Sequence, residues 1–356
     1  MPKQDFSGFN LSGYSLNQSN LADAKLSKAK LLGADLAGAD LAGADLTEAD
    51  LSGADLTGAD LYSAKLSGAK LVGATLAGAD LTNADLRDCE MSGVLAQSAK
   101  FAGANISQST LNAANLAKSD FSDANLSACS LIGACLDEAV LSQTDLSDAN
   151  LFSATIQSSK FTLTKLNNVD LSGANLAGSI FSDAVLNQTN FDGANLQGCN
   201  FENQSLSGIN LTSANLNSSL LSGANLEGAQ LSYARITRAN FTEASLRDTN
   251  LRFAKMTGTK FIEANFQGAN LIYTGMYKDK VLNEFPGLKH NQNTRWDDQA
   301  LFRRGKHNKK IEIASPIAIE EITTQVTDNQ ATEHPEIVRQ ENSSIWKKLG
   351  AFFSNG

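Results

Sequence analysis

Residues 34–46 read ADLAGADLAGADL, one five-residue phrase repeated almost without variation. A period of five suits neither regular element, because an amphipathic helix repeats its apolar positions every ~3.6 residues and a strand every ~2. Local geometry reconciles the two. In an extended segment Ala34 and Leu36 point the same way and Asp35 points the other way. The following Ala37-Gly38 pair then turns the chain, since glycine tolerates the dihedrals of a tight corner. Each unit is therefore one short side of a coil, with Ala and Leu inside and Asp outside.

The phrase extends in both directions. From Phe6 to Met276 every fifth residue is apolar, 55 consecutive positions, mostly Leu, with Ala96 the smallest of them. Ten of these central positions carry Phe, and seven of the ten (Phe101, Phe121, Phe161, Phe181, Phe201, Phe241, Phe261) are separated by multiples of 20. A turn of four units would stack those rings in a single column and bury each coil against the next, which is how solenoids gain stability. The coil is predicted to be square. Two places depart from the pattern. Around Met91-Ser92-Gly93-Val94-Leu95-Ala96 the central Leu is displaced by one, which predicts a bulge or bend. Gln204 puts a long amide where Ala belongs, which predicts a hydrogen-bond partner or a local opening.

The A(D/N)LxG motif over residues 6–276, about three-quarters of the chain, resembles the pentapeptide-repeat family. That resemblance implies an all-β fold, a right-handed quadrilateral β-helix. About 14 coils at the parallel-strand spacing of about 4.8 Å would make a rod about 65 Å long.

Charge is unevenly spread. Residues 1–276 hold 17 Lys/Arg and 27 Asp/Glu, a net of −10, and the last 80 residues hold 12 and 11, a net of +1. An acidic rod lacks the broad basic surface that phosphate binding needs, so direct nucleic-acid binding is not expected. The residues before each central Leu form columns of period 20. Lys25, Asp45, Lys65 and Asp85 alternate in sign, as do Lys30, Asp50, Lys70 and Glu90. Asn20, Asp40, Asp60 and Asp80 do not, so Asp40, Asp60 and Asp80 make a candidate acidic stripe beside the bland alternative that Asp merely fills its slot. Near the other end Arg235, Arg238, Arg247, Arg252, Lys255 and Lys260 face only Glu243 and Asp248, a candidate basic end for steering a partner or simply drift on a solvated surface.

After Met276 the pattern stops. Residues 277–302, with Val281-Leu282, Phe285-Pro286-Gly287, Trp296 and Leu301-Phe302, are expected to cap the open end of the solenoid. Residues 303–343 are polar, with short islands such as Ile311-Glu312-Ile313, and are expected to be a disordered linker in a flexible tail. In residues 344–356, Ile345, Trp346, Leu349, Phe352 and Phe353 share one helical face, with Lys347 and Lys348 opposite. Such a terminal helix suits an anionic membrane surface, a partner's groove or the rod itself.

Chemistry is sparse. His290, His307 and His334 all lie in the tail, far apart, and the repeat has no His. Cys89, Cys129, Cys135 and Cys199 lack the paired spacing of a disulfide framework or a zinc site. A packed interior of Leu and Ala is expected to leave no concave substrate cavity. No enzyme activity, cofactor or metal is expected. The expectation is a non-enzymatic scaffold presenting its outer faces to a protein partner. The N-terminal residues lack an apolar signal segment and no long apolar run occurs, so a cytoplasmic location is the default, with peripheral membrane contact through residues 344–356 as an alternative. The family resemblance implies a further alternative, in which the rod mimics duplex DNA and binds or protects a type II topoisomerase (gyrase).

Overall fold

The computed structural model describes residues 4–285 and 287–297. Over the repeat the chain winds as a right-handed quadrilateral β-helix. From Asp5 to Asn250, each residue that stands between the small and the central position forms a parallel bridge with its counterpart twenty residues on, with one gap, at Val185 and Ser205. The four faces are ordered by their central residues. The Phe face carries Phe101 and Phe121, and the second, third and fourth faces carry Ile106, Leu111 and Leu116 with their counterparts.

The phrase is repeated because it satisfies every backbone donor it contains. Leu36 N–H donates to Asp55 O (2.7 Å), Gly38 N–H to Thr57 O (2.8 Å) and Asp40 N–H to Ser19 O (2.9 Å), which ties the coil to its two neighbours. Ala39 N–H closes the corner onto Leu36 O at 3.0 Å. The fifth donor, Ala37 N–H, finds the Asp35 carboxylate at 3.2 Å. Only a short acceptor reaches its own backbone two residues on, so the outward slot favours Asp and Asn. That hydrogen bond recurs at Asp40, Asp60, Asn125 and Asn210.

The corner needs a left-handed residue, as the third position of a type II turn does. Gly38 has φ +62°, yet among the described residues 32 non-glycine residues occupy the same region, including Leu163, Tyr233, Phe253 and Tyr273. The hydrogen-bond lattice on both sides imposes the conformation, and glycine only makes it cheaper.

Inside, the central and small residues form one continuous apolar core. Phe161, Phe181 and Phe201 stack with centroids 4.6 Å apart, and Phe101 stacks on Phe121 at 4.8 Å. Phe191, from the opposite face, meets Phe181 edge-on at 6.1 Å. Where Ser or Thr replaces the inner Ala, its hydroxyl donates to a central residue's carbonyl, either 23 positions back, as from Ser119 to Ala96 O (2.6 Å) and from Thr144 to Phe121 O (2.7 Å), or three back, as from Ser219 to Leu216 O (2.7 Å). Cys89, Cys129 and Cys199 do the same with their thiols. Burial pushes those three thiols up to about 12, so they behave as small core residues.

The two departures behave differently. No bulge forms at 91–96. Val94 and Ala96 are buried and exposed Leu95 bridges both Thr75 and Asn115, so the displaced Leu merely takes the outward slot while a small Ala fills the central one. Gln204 does open the lattice. The missing Val185–Ser205 bridge lies beside it, and the amide, 7 % exposed, borders a cleft of about 280 Å³ with Ser182, Asp183, Asn200, Glu202 and Asn203.

Past Met276 the chain forms α1 (Lys278–Glu284), which buries Val281 and brings Phe285 edge-on to Phe261 at 5.8 Å. It then resumes the lattice, because Lys289 bridges Asn265 and Arg295 bridges Asn270. The remainder of the expected cap, the linker and the terminal helix with Ile345, Trp346, Lys347, Lys348, Leu349, Phe352 and Phe353 lie outside the described residues.

Candidate partner-binding surface

A solid prism acts through its outside, so the candidate site is sought among outward slots. The acidic stripe runs along the Phe face, where Asp40, Asp60 and Asp80 occupy bridged positions on successive coils. Each carboxylate accepts its own turn N–H, from Ala42, Tyr62 and Thr82 at 2.9–3.1 Å. The stripe ends at Lys100, whose ammonium meets Asp80 at 3.1 Å. Burial alone would raise the Asp80 carboxyl, but hydrogen bonds from Thr82 and Lys100 outweigh it and hold it below the usual range. These acids therefore have structural work as well as charge. Among the described residues every ion pair except Arg87–Asp85 joins residues twenty apart, so surface charge mostly ties coil to coil.

The six residues of the basic end do not form one patch. Arg247 points from the second face and pairs with Glu227 at 3.8 Å, and Lys260 belongs to the Phe face. Arg235, Arg238 and Lys255 share the fourth face, and Arg252 stands at the corner beside it. On the fourth face from Asn175 to Gly258 the outward slots hold amides, hydroxyls, Ala, Gly and those three cations, with no carboxylate. Asn175, Asn195 and Asn215 form a ladder of side-chain hydrogen bonds at 2.8 and 2.9 Å that leads up to Arg235.

At the same corner three aromatic rings stack outside the coil. Tyr233, Phe253 and Tyr273 have centroids 4.8 and 4.6 Å apart and planes within 7° and 11°. The Arg252 guanidinium lies 5.4 Å from the Phe253 centroid and 5.8 Å from that of Tyr273. All three aromatics sit in left-handed corner slots, φ +62°, +61° and +65°. Tyr233 and Tyr273 remain 58 % and 54 % exposed. Bulky residues in that conformation are strained by roughly 1 kcal/mol or more each, and such strain clusters at functional sites. Exposed Tyr and Arg beside apolar surface are also the residues that dominate protein interfaces. Sequence reasoning missed this stack, although its signal is visible: three aromatics in glycine slots, spaced by 20.

The expectation of no concave cavity fails beside Gln204 and, more widely, at the end of the coil. A half-open cleft of about 680 Å³ lies between the last full coil and α1, lined by Phe253, Lys255, Met256, Tyr273, Lys280 and Phe285 among others. It arises because α1 leaves the lattice before the coil closes. Among the described residues no group of His, Cys, Asp and Glu could hold a metal ion, and no helix is long and apolar enough to cross a membrane.

The profile described as pentapeptide repeats matches eight overlapping segments between residues 5 and 203, and that of a pentapeptide repeat region matches 194–271. The chain belongs to the pentapeptide-repeat family. Among solved pentapeptide-repeat structures, it is 39 % identical to a protein of the Arabidopsis thaliana thylakoid lumen, over 26 % of this chain and 64 % of that one, with a TM-score of 0.26. The chain thus spans just under two thirds of that relative. HetL, involved in heterocyst differentiation regulation in the cyanobacterium Nostoc sp. strain PCC 7120, is 30 % identical over 67 % of this chain and 91 % of its own, with a TM-score of 0.22. QnrB1, a plasmid-mediated fluoroquinolone resistance protein, is 16 % identical over 58 % and 91 %, with a TM-score of 0.24. No curated protein matches the chain. Pentapeptide-repeat proteins are generally structural or binding proteins rather than enzymes.

Proposed function

We propose that this pentapeptide-repeat chain is a non-enzymatic scaffold that binds a protein partner through the corner of its third and fourth faces near the C-terminal end of the coil. The observation that carries this is the stack of Tyr233, Phe253 and Tyr273 with Arg252 laid against it, beside the stretch of the fourth face from Asn175 to Gly258 that holds no carboxylate. Rigid aromatics supply contact area at little entropic cost, and Arg235, Arg238 and Lys255 select a partner with an acidic surface. A duplex mimic that engages a type II topoisomerase would want a long run of carboxylates; the Asp40–Asp60–Asp80 column stops at Lys100, and the far end is cationic.

The test is affinity capture with the purified chain and with a Tyr233→Ser, Tyr273→Ser, Arg235→Glu variant of unchanged melting temperature. The wild type should retain a defined acidic protein that the variant loses. Equal capture by both would remove the corner from consideration. A gyrase supercoiling assay run alongside should show no effect at micromolar protein.

A further inference from the structure

The four sides of the coil end differently at its C-terminal edge. The second side is covered by Lys289, whose N–H reaches Ala264 O (2.9 Å) and whose carbonyl accepts Phe266 N–H (2.7 Å). The third is covered in the same way by Arg295, with Ala269 O at 2.8 Å and Leu271 N–H at 2.7 Å. Phe285 stands edge-on over Phe261 on the Phe side. The fourth side, Ala254 to Gly258, has no bridging segment across it among the described residues.

Its backbone is left in the bonding pattern of a half-made ladder. One coil earlier Ala234 O accepts from Lys255 N–H (2.9 Å), Ile236 N–H donates to Lys255 O (2.8 Å) and Arg238 N–H to Thr257 O (3.1 Å). The equivalent groups, Ala254 C=O, Met256 N–H and Gly258 N–H, have no partner among the described residues. The residue that would cover them is Gly275, but its N–H is drawn to the Asp297 carboxylate at 2.6 Å and the chain departs into α1. Over the bare edge lies the 680 Å³ cleft. Met256 is correspondingly the central residue of its coil that stays partly exposed, while Leu251 beside it is buried.

We propose that this notch binds an extended, acidic segment of a partner protein, added to the coil as its missing side. The proposal deepens the scaffold assignment above and rests on it for the class of partner. The edge dictates the register. One residue of the guest directs its N–H to Ala254 O and its C=O to Met256 N–H, and the carbonyl two residues later meets Gly258 N–H, the β-augmentation mode of peptide capture. The guest residues on either side of that one face inward over Ala254 and Met256, so they are apolar. The residue between them stands directly over Lys255, which has Arg235 beneath it and no carboxylate in its own column from Thr75 onward, so an acid fits and a base is repelled. Lys280 and Glu284, of opposite charge, both line the cleft. The predicted guest is apolar–acidic–apolar.

The test is fluorescence anisotropy of the full chain with two labelled peptides, GVELTG and GVKLTG, capped at both ends. The Glu peptide should bind and the Lys peptide should bind at least about tenfold more weakly. Lys255→Glu should reverse that order, which a folding defect would not do. Met256→Pro, which removes one edge donor, should abolish binding of both peptides, whereas Met256→Leu, which keeps it, should retain binding. Binding of neither peptide, equal binding of both, or an unchanged order in Lys255→Glu would overturn the proposal. If the corner still captures an acidic protein while neither peptide binds, the scaffold assignment stands and the notch falls alone.

Discussion

The coils over residues 31–64 and those over 231–273 share one interior and differ in their corners. In the first, five of seven corner slots are glycine (33, 38, 43, 53 and 58), and seven acids occur with no Lys or Arg. In the second, only Gly258 and Gly268 remain among nine corner slots, and Tyr, Phe, Arg, Glu and Asp occupy the rest in the same left-handed conformation. The backbone is the same because its ladder of hydrogen bonds, not the corner side chain, fixes the dihedrals. Corners are therefore free to vary, and bulky ones are retained against a conformational cost. The interior should respond alike everywhere to mutation, and the corners should not.

The largest expected effect lies inside. Phe181 stacks on Phe161 and Phe201 and takes Phe191 on its edge. Phe181→Ala should cost about 3–5 kcal/mol in denaturant unfolding, the range for a large side chain deleted from a core that cannot collapse. The loss should be of the same size for Phe241→Ala, sixty residues nearer the aromatic corner, because the core does not distinguish the two regions. A much smaller loss at Phe241 would mean that the C-terminal coils are loosely packed.

Next in size is the defect between these regions. Gln204→Ala restores the lattice residue and should let the ladder close between Val185 and Ser205. A gain of about 1 kcal/mol is expected, a net hydrogen bond's worth. Amide exchange at Ser205 and Leu186 should slow in step. Unchanged exchange would show that something other than the amide holds the gap open.

The fold was legible because its decisive signals are periodic. Leu every fifth position and Phe every twentieth state side length and coil size outright, and the ladder follows. The Asp35 type of turn bond was less visible, since Asp in an outward slot reads as solvated charge until its oxygen is seen on Ala37 N–H. Candidate surfaces were legible only in part. Counting charge along the chain grouped Arg247 and Lys260 with Arg235, although a square coil places them on separate faces. Numbering by 20 would have separated them and would have exposed the Tyr233, Phe253 and Tyr273 column. The notch was not legible, because it depends on where α1 leaves the coil and on Gly275 turning to Asp297, which no period encodes.

Corner substitutions sharpen the comparison further. Leu163 is a bulky residue at φ +58° that is exposed and stacks on no ring. Leu163→Gly should stabilise by roughly 1 kcal/mol, the left-handed penalty of an L-residue. Phe253→Gly relieves the same penalty but loses two stacked neighbours worth about 0.5–1.5 kcal/mol each, so it should be neutral or destabilising. Thermal unfolding of the two variants should separate them in sign, and equal gains would mean that the outer stack is incidental.

The smallest effects separate charge from hydrogen bonding in the outward columns. Asp60 stands between Asp40 and Asp80, whereas Asp45 stands between Lys25 and Lys65. Asn keeps the turn acceptor in either slot and removes only the charge. Asp60→Asn should therefore stabilise and Asp45→Asn should destabilise, each by about 0.2–1 kcal/mol, the scale of exposed pairs. Both differences should shrink in high salt. The Asp45 carboxyl is held below the usual range, first by the Thr47 hydrogen bond and then by Lys65 and Lys25, against a burial effect that raises it. A depressed carboxyl contributes stability that is present above its unfolded pKa and is lost as pH falls through the folded one. The penalty of Asp45→Asn should accordingly be full at neutral pH, begin to fade below about pH 4, and vanish once the wild-type carboxylate is protonated. A penalty that persisted in acid would place the value of Asp45 in shape rather than charge, and the alternating columns would then hold no electrostatic advantage over the acidic stripe.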